Sequence, residues 1–190
     1  MSTSVKTSAA REKLLATATR IFYAEGVNAV GIDRVIEAAG VTRATMYRHF
    51  PSKQALVTTY LEVSDQGFRD RAEVHLSGGG SPAAVLRAIA ADIVGDIGYE
   101  HFRGCAFLNA AAEFPDPADP VHRAVMAHRD WFSGMVLNLF AQIGGEGSED
   151  AGRRFVMLRD GAMAAGCLSD PQVVCRTFLQ GVEDLLPGAD

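Results

Sequence analysis

Residues 41 to 50 hold the most chemically pointed set in the chain. Arg43, Thr45, Tyr47, Arg48 and His49 stand among the apolar Val41, Met46 and Phe50, with Thr42 beside them and Lys53 three residues beyond. Arginine forks onto guanine edges, and hydroxyls and ring edges meet phosphate oxygens or thymine methyls. The chemistry these types offer is recognition of a duplex, not bond-making. His49 has no second histidine, cysteine or carboxylate nearby at ligand spacing, so no metal is expected there. No nucleophile stands beside a base at motif spacing, and no phosphate loop appears, so neither a catalytic residue nor a cofactor is expected.

For those side chains to share a face, the stretch must be helical, with Val41, Met46 and Phe50 turned inward. The preceding segment carries Ile32, Val35, Ile36 and Ala39 at spacings of three and four, which predicts another helix. Gly40 ends it where a left-handed residue is needed, and Thr42 can cap the next. Helix, short glycine turn and helix make a helix-turn-helix. A first helix over about 8–25, with the stripe Leu14, Ala18, Ile21 and Phe22, braces the pair. Lys6 or Arg11 near its start could touch a phosphate. Pro51 closes the exposed helix. Ser52 then caps a fourth, and Lys53 sits in its first turn, where backbone N–H groups favour an anion. The fourth helix continues through Leu56, Tyr60, Val63 and Phe68 to about residue 75, as the mechanical link to the rest of the chain.

Residues 40–56, GVTRATMYRHFPSKQAL, resemble the signature of the tetracycline-repressor (TetR) family of one-component transcription regulators. Residues 14–26 resemble that family's first helix. The resemblance covers roughly the first third of the chain. It implies DNA binding, a homodimer formed through the last two helices, and a small-molecule effector held among the middle ones. By position in the motif, Arg43 and Thr45 are candidates for base edges, and Thr42, Tyr47 and His49 for phosphates. Arg48 suits either role or plain solvation, and Lys53 completes a phosphate clamp. Gly31 departs from the family pattern, which has serine or threonine there. Glycine still caps a helix but brings no hydroxyl.

A net charge of −5 fits a duplex partner only once the chain is divided. Residues 1–60 hold eight Lys/Arg and four Asp/Glu, for +4, while the remaining 130 hold ten and nineteen, for −9. Basic charge thus travels with the helix-turn-helix, as phosphate contact requires. The 48% apolar content is that of a globular chain, and no run is long enough to span a membrane. Residues 1–8 are polar, lack the apolar centre of a signal peptide and read as a flexible arm. Cys105, Cys167 and Cys175 form no paired framework, which fits a reducing cytoplasm.

Beyond residue 75 the breaks are Ser77-Gly78-Gly79-Gly80-Ser81-Pro82, an irregular joint at 98–104, the proline-rich 115–120, the glycines near 145, and Ser169-Asp170-Pro171. They delimit helices over about 82–97, 105–114, 121–143, 149–167 and 171–186, the last ended by Pro187. The expected fold is all-α with nine helices. Residues 1–53 form a three-helix helix-turn-helix DNA-binding domain, and residues 54–190 a larger helical ligand-binding and dimerisation domain. Small residues at Gly161, Ala162, Ala164, Ala165 and Gly166, and the stripe Val174, Phe178, Val182 and Leu185, look like half of a four-helix bundle completed by a twofold mate. The alternative is that these faces close the monomer's own core.

The middle helices mix apolar bulk with isolated polar groups, as small-molecule pockets do. Candidate ligand-binding residues are Phe102, Phe107, Asn109, Glu113, His128, Trp131, Met135, Arg159, Asp160 and Met163. The competing reading is ordinary core, with Glu113 paired to an arginine such as Arg159. Cys105, near Arg103, is a candidate thiol sensor. The expected function is a repressor that holds a palindromic operator as a dimer and is released by a small apolar or amphipathic effector. The alternatives are an activator, a thiol-sensing regulator using Cys105, and a helical carrier or enzyme.

Overall fold

The structure, a computed structural model, describes residues 8–186. Residues 1–7, and with them Lys6 and most of the expected arm, lie outside the described residues, as does Pro187. The described residues form nine helices and no strand: α1 (Ala9–Glu25), α2 (Ile32–Ala39), α3 (Arg43–His49), α4 (Lys53–Ser77), α5 (Pro82–Ile97), α6 (Ala106–Glu113), α7 (Pro120–Ile143), α8 (Ser148–Ala165) and α9 (Pro171–Glu183). The all-α expectation holds, with most ends within two or three residues of the spans read from the sequence.

The helix starts follow from local chemistry. Thr42, Ser52 and Ser81 each accept the N–H three residues on, and Asp119 and Asp170 the N–H two residues on. These bonds satisfy amides that a helix leaves free at its first turn. Proline follows the cap in α5, α7 and α9, where its missing N–H costs nothing. Gly31 caps α2 with no side-chain bond. Gly40 ends α2 in the left-handed conformation, φ 59° and ψ 41°, while the Val41 N–H returns to the Ile36 carbonyl at 3.2 Å. That reversal sets the angle between α2 and α3.

One buried cluster runs through the molecule. Leu14, Ala18 and Phe22 of α1 pack with Met46 and Phe50 at the reading helix and Leu56 and Tyr60 of α4. The 25 residues of α4 span about 37 Å at 1.5 Å each. They begin beside α3 and end against α5 and α7. At the far end Phe140, Phe155 and Phe178 stack edge to face, tying α7, α8 and α9. There α7 and α8 lie so close that a Cβ on Gly152 would stand 2.8 Å from the Leu137 side chain.

Candidate functional site

Met46 and Phe50 are buried, and they anchor α3 while its other face stays wet. On that face Tyr47 is 42% exposed, and Thr42, Arg43 and Arg48 are exposed as well. Thr42 Oγ1 accepts the Thr45 N–H at 3.1 Å and lies 2.9 Å from Thr45 Oγ1, so both hydroxyls are engaged at the cap. Arg43 is paired with Asp33 of α2, and both side chains are more than half exposed. His49 is half-buried, with Nε2 at 3.2 Å from Ser8 Oγ. Arg11 lies over the Phe50 ring, 5.1 Å from its centroid. Lys53 is half-buried at the start of α4, and burial lowers its pKa against the opposing pull of Glu113. Thr42, Arg43, Thr45, Tyr47, Arg48, His49 and Lys53 therefore do gather at one end of the molecule, around α3.

Sequence reasoning missed how α6 is fastened to α1. At one end the Tyr23 hydroxyl donates to the Gly104 carbonyl at 2.9 Å and accepts the Arg103 N–H at 2.9 Å. At the other, the Glu113 carboxylate accepts the N–H groups of Val27 and Asn28, at 3.0 and 2.5 Å. Glu113 is thus not paired with Arg159, contrary to the competing reading, because the free amides after α1 hold it 86 residues away in sequence. Gln54 at the start of α4 donates to Asp119 at 2.9 Å. The partners lie 65 to 86 residues apart, beyond any local pattern.

The expected ligand residues divide among three cavities. A small one of about 30 Å³ has His128, Trp131, Met135 and Arg159 on its wall. A second, about 440 Å³, lies between the end of α1, α6 and the end of α8, and takes in Asn109, Glu113 and Met163. A third, about 390 Å³, is lined by Phe102 and Met163 together with Thr19, Arg20 and Tyr23 of α1. Two members of the expected set line none of these three. Phe107 is core, stacked on the His128 ring with centroids 3.6 Å apart. Asp160 is taken up by Arg129 at 2.6 Å and Arg159 at 3.0 Å. Asn109 spends its amide on the Arg103 carbonyl at 2.9 Å, closing the joint before α6.

Among the described residues of this body, the buried polar side chains are His128 and Arg159. His128 Nδ1 meets Asp65 Oδ1 at 2.7 Å, and burial lowers its pKa although Asp65 pulls the other way. Arg159 donates to Asp160 and, at 3.3 Å, to the Cys105 thiol, so the guanidinium touching Cys105 belongs to Arg159 and not to Arg103. Between α8 and α9 runs an open apolar groove of about 650 Å³, lined by Leu158, Gly161, Ala165, Val173 and Phe178, with Met157 71% exposed at its edge. Among the described residues no cluster of three or more His, Cys, Asp or Glu could hold a metal, and no helix is long and apolar enough to cross a membrane.

A capped reading helix, braced by two others and set on a larger helical body, defines the helix-turn-helix regulators as a class. The family model for bacterial regulatory proteins of the tetR family matches residues 14–59. The crystal structure of a TetR-family transcriptional regulator from Streptomyces coelicolor superposes with a TM-score of 0.90, at 56% identity, over 93% of this chain and 93% of that one. The regulator AcrR of Shigella flexneri is 34% identical over 80 residues, 42% of this chain and 37% of AcrR. That match spans little more than a third of AcrR. The regulator LmrA of Bacillus subtilis is 25% identical over 126 residues, 65% of this chain and 67% of LmrA. The chain belongs to the TetR family of transcriptional regulators. These relatives are regulators, not enzymes.

Proposed function

We propose that this chain is a cytoplasmic repressor that grips a palindromic operator as a homodimer and lets go when a small molecule enters its body. Residues 1–53 read the duplex, and residues 54–190 sense and dimerise. The observation that carries the reading is the wet face of α3, where Arg43, Tyr47 and Arg48 project from a helix pinned from behind by Met46 and Phe50. Arg43 and Thr45 face base edges, while Thr42, Tyr47, His49 and Lys53 hold phosphates. The apolar groove of α8 and α9 supports a twofold mate, which sets two reading helices about 34 Å apart, one turn of the duplex. The cavities walled by α1 support the coupling. An effector there bears on α1 directly, and on α3 through the helices that brace it. It shifts the population only by its differential affinity for the two states.

The test is fluorescence anisotropy on duplexes selected from random sequence, with the oligomeric state followed by sedimentation. The expected result is a dimer that retains a palindrome and loses affinity steeply with salt. A monomer, or a protein that no duplex retains at low ionic strength, overturns the reading.

A further inference from the structure

Arg159 is an unusual cation. Its side chain is 6% exposed, and its Nε finds no acceptor among the described residues. Its three contacts neutralise it poorly. The Asp160 carboxylate is shared with Arg129, so one negative charge serves two guanidinium groups. The Cys105 thiol, at 3.3 Å, is a weak acceptor. Phe132 offers only a ring face, 5.3 Å from the guanidinium carbon. A buried charge is costly unless it is paired and fully hydrogen-bonded. The neighbouring groups already have partners: Arg71 meets Asp96 at 3.2 Å, the His75 ring meets Asp92 at 2.9 Å, and Asp65 meets Arg69 at 2.6 Å. Arg69, Arg71, Arg129 and Arg159 thus stand against Asp65, Asp92, Asp96 and Asp160, and within this balanced set Arg159 is the cation left with a buried donor unused.

We infer that the effector is an amphipathic carboxylic acid whose carboxylate is bound by Arg159 in the small cavity and whose apolar body lies in the larger cavity beside it. The inference rests on the reading of this body as effector-binding. The space beside Arg159, about 30 Å³, holds about two waters, which is the bulk of one carboxylate. Two coplanar oxygens match the planar edge of a guanidinium. A phosphate is tetrahedral and more highly charged, so it fits the guanidinium plane less well and meets Asp92 and Asp96 on the same wall less favourably than a carboxylate does. Phe68, Ile93, Trp131 and Met135 give the rest of that wall an apolar character. Phe68, Arg71 and Asp96 also line the cavity of about 390 Å³, which has room for a hydrocarbon or aromatic tail.

Trp131 is the single tryptophan of the chain and lines the small cavity, so its emission reports occupancy without a label. The full-length protein is titrated with decanoate and 4-phenylbutyrate, and with 1-decanol and 4-phenylbutanol as uncharged counterparts. At least one acid is expected to shift the emission and to bind about tenfold or more tightly than its alcohol, the margin of a charge-assisted bond. Arg159→Met should bring acid and alcohol to parity. Arg159→Lys keeps the charge but loses the fork, and should lose most of the preference. If the methionine variant fails to fold, the lysine variant decides. Equal binding of acid and alcohol, no binding of either acid, or a preference that survives the substitutions overturns the inference. Operator release is scored separately. An acid that binds through Arg159 yet leaves operator affinity unchanged removes the coupling and leaves the site; a neutral molecule that releases the operator while both acids fail removes the site and leaves the coupling.

Discussion

The helix-turn-helix end and the larger helical body treat charge in opposite ways. On α2 and α3 the arginines stay in water. Arg43 rests on an exposed Asp33, Arg34 on an exposed Glu25, and neither pair is shielded from solvent. Exposed pairs of this kind are worth about 0–1 kcal/mol, so their arginines are readily exchanged for phosphates. In the body, His128 and Arg159 are sealed among aromatic rings and depend on a few fixed partners. The arginines of the helix-turn-helix keep their charges free in water, whereas the Arg159 guanidinium is dry and short of partners. Helix α6 joins the two regimes, since Tyr23 and Glu113 fasten it to α1 at both ends.

The largest expected effect falls on the wet side. Arg43→Ala with Tyr47→Ala should weaken operator binding by about a hundredfold, at about 1–3 kcal/mol for a lost base-reading contact and a further share for a phosphate. Stability should move by no more than about 0.5 kcal/mol, because both side chains are exposed. Anisotropy and thermal melting of the same samples check both halves. Unchanged operator affinity would remove the reading helix from its assigned role.

Next comes the joint. Glu113→Ala removes the acceptor of two backbone N–H groups between α1 and α2. It should lower stability by about 1–2 kcal/mol in urea melts. It should also loosen the link between effector and operator, so that a bound ligand releases less DNA than in the unaltered protein. A variant that melts normally and responds fully would leave α6 without a part in the coupling.

How much of this could be read beforehand follows the same division. The caps at Thr42, Ser52, Ser81, Asp119 and Asp170, and the left-handed turn at Gly40, are local events, and each was visible in a few consecutive residues. The helix α3 was equally visible, because its buried Met46 and its exposed neighbours lie along one element. The pocket was not. His128 meets Asp65 across 63 residues and Arg159 meets Cys105 across 54, and nothing in the periodicity of α7 or α8 says which partner arrives. Phe107 and Asp160 had the right chemical types for a lining, but packing assigned one to a ring stack and the other to an ion pair. Nothing local marks Tyr23 on α1, and only the fold brings its hydroxyl to the joint before α6.

A smaller effect separates the buried side by pH. Burial holds the His128 pKa below the ordinary 6.5, so the folded protein resists a proton that the unfolded chain accepts. The unfolded state then binds more protons as pH falls below about 6.5, and stability declines from there down to the folded pKa, by no more than about 1.4 kcal/mol per pH unit. His128→Gln should flatten the decline in melts between pH 7 and 5. An unchanged slope would place the titrating group elsewhere.

The smallest expected effect is the sharpest test of the wet side. Asp33→Asn takes away the carboxylate on which Arg43 rests and leaves the shape of α2 intact. Because the pair is exposed, the melting temperature should stay within the error of the measurement. Binding should change instead. With one negative charge fewer near the phosphates and Arg43 released, affinity for a duplex of arbitrary sequence should rise by about two- to fivefold at low salt, and the gain should fade as salt screens it. If affinity falls at constant stability, Asp33 is holding Arg43 in its reading pose. The exposed pair would then be a positioning device rather than a resting place, and the contrast with the body would narrow to burial alone.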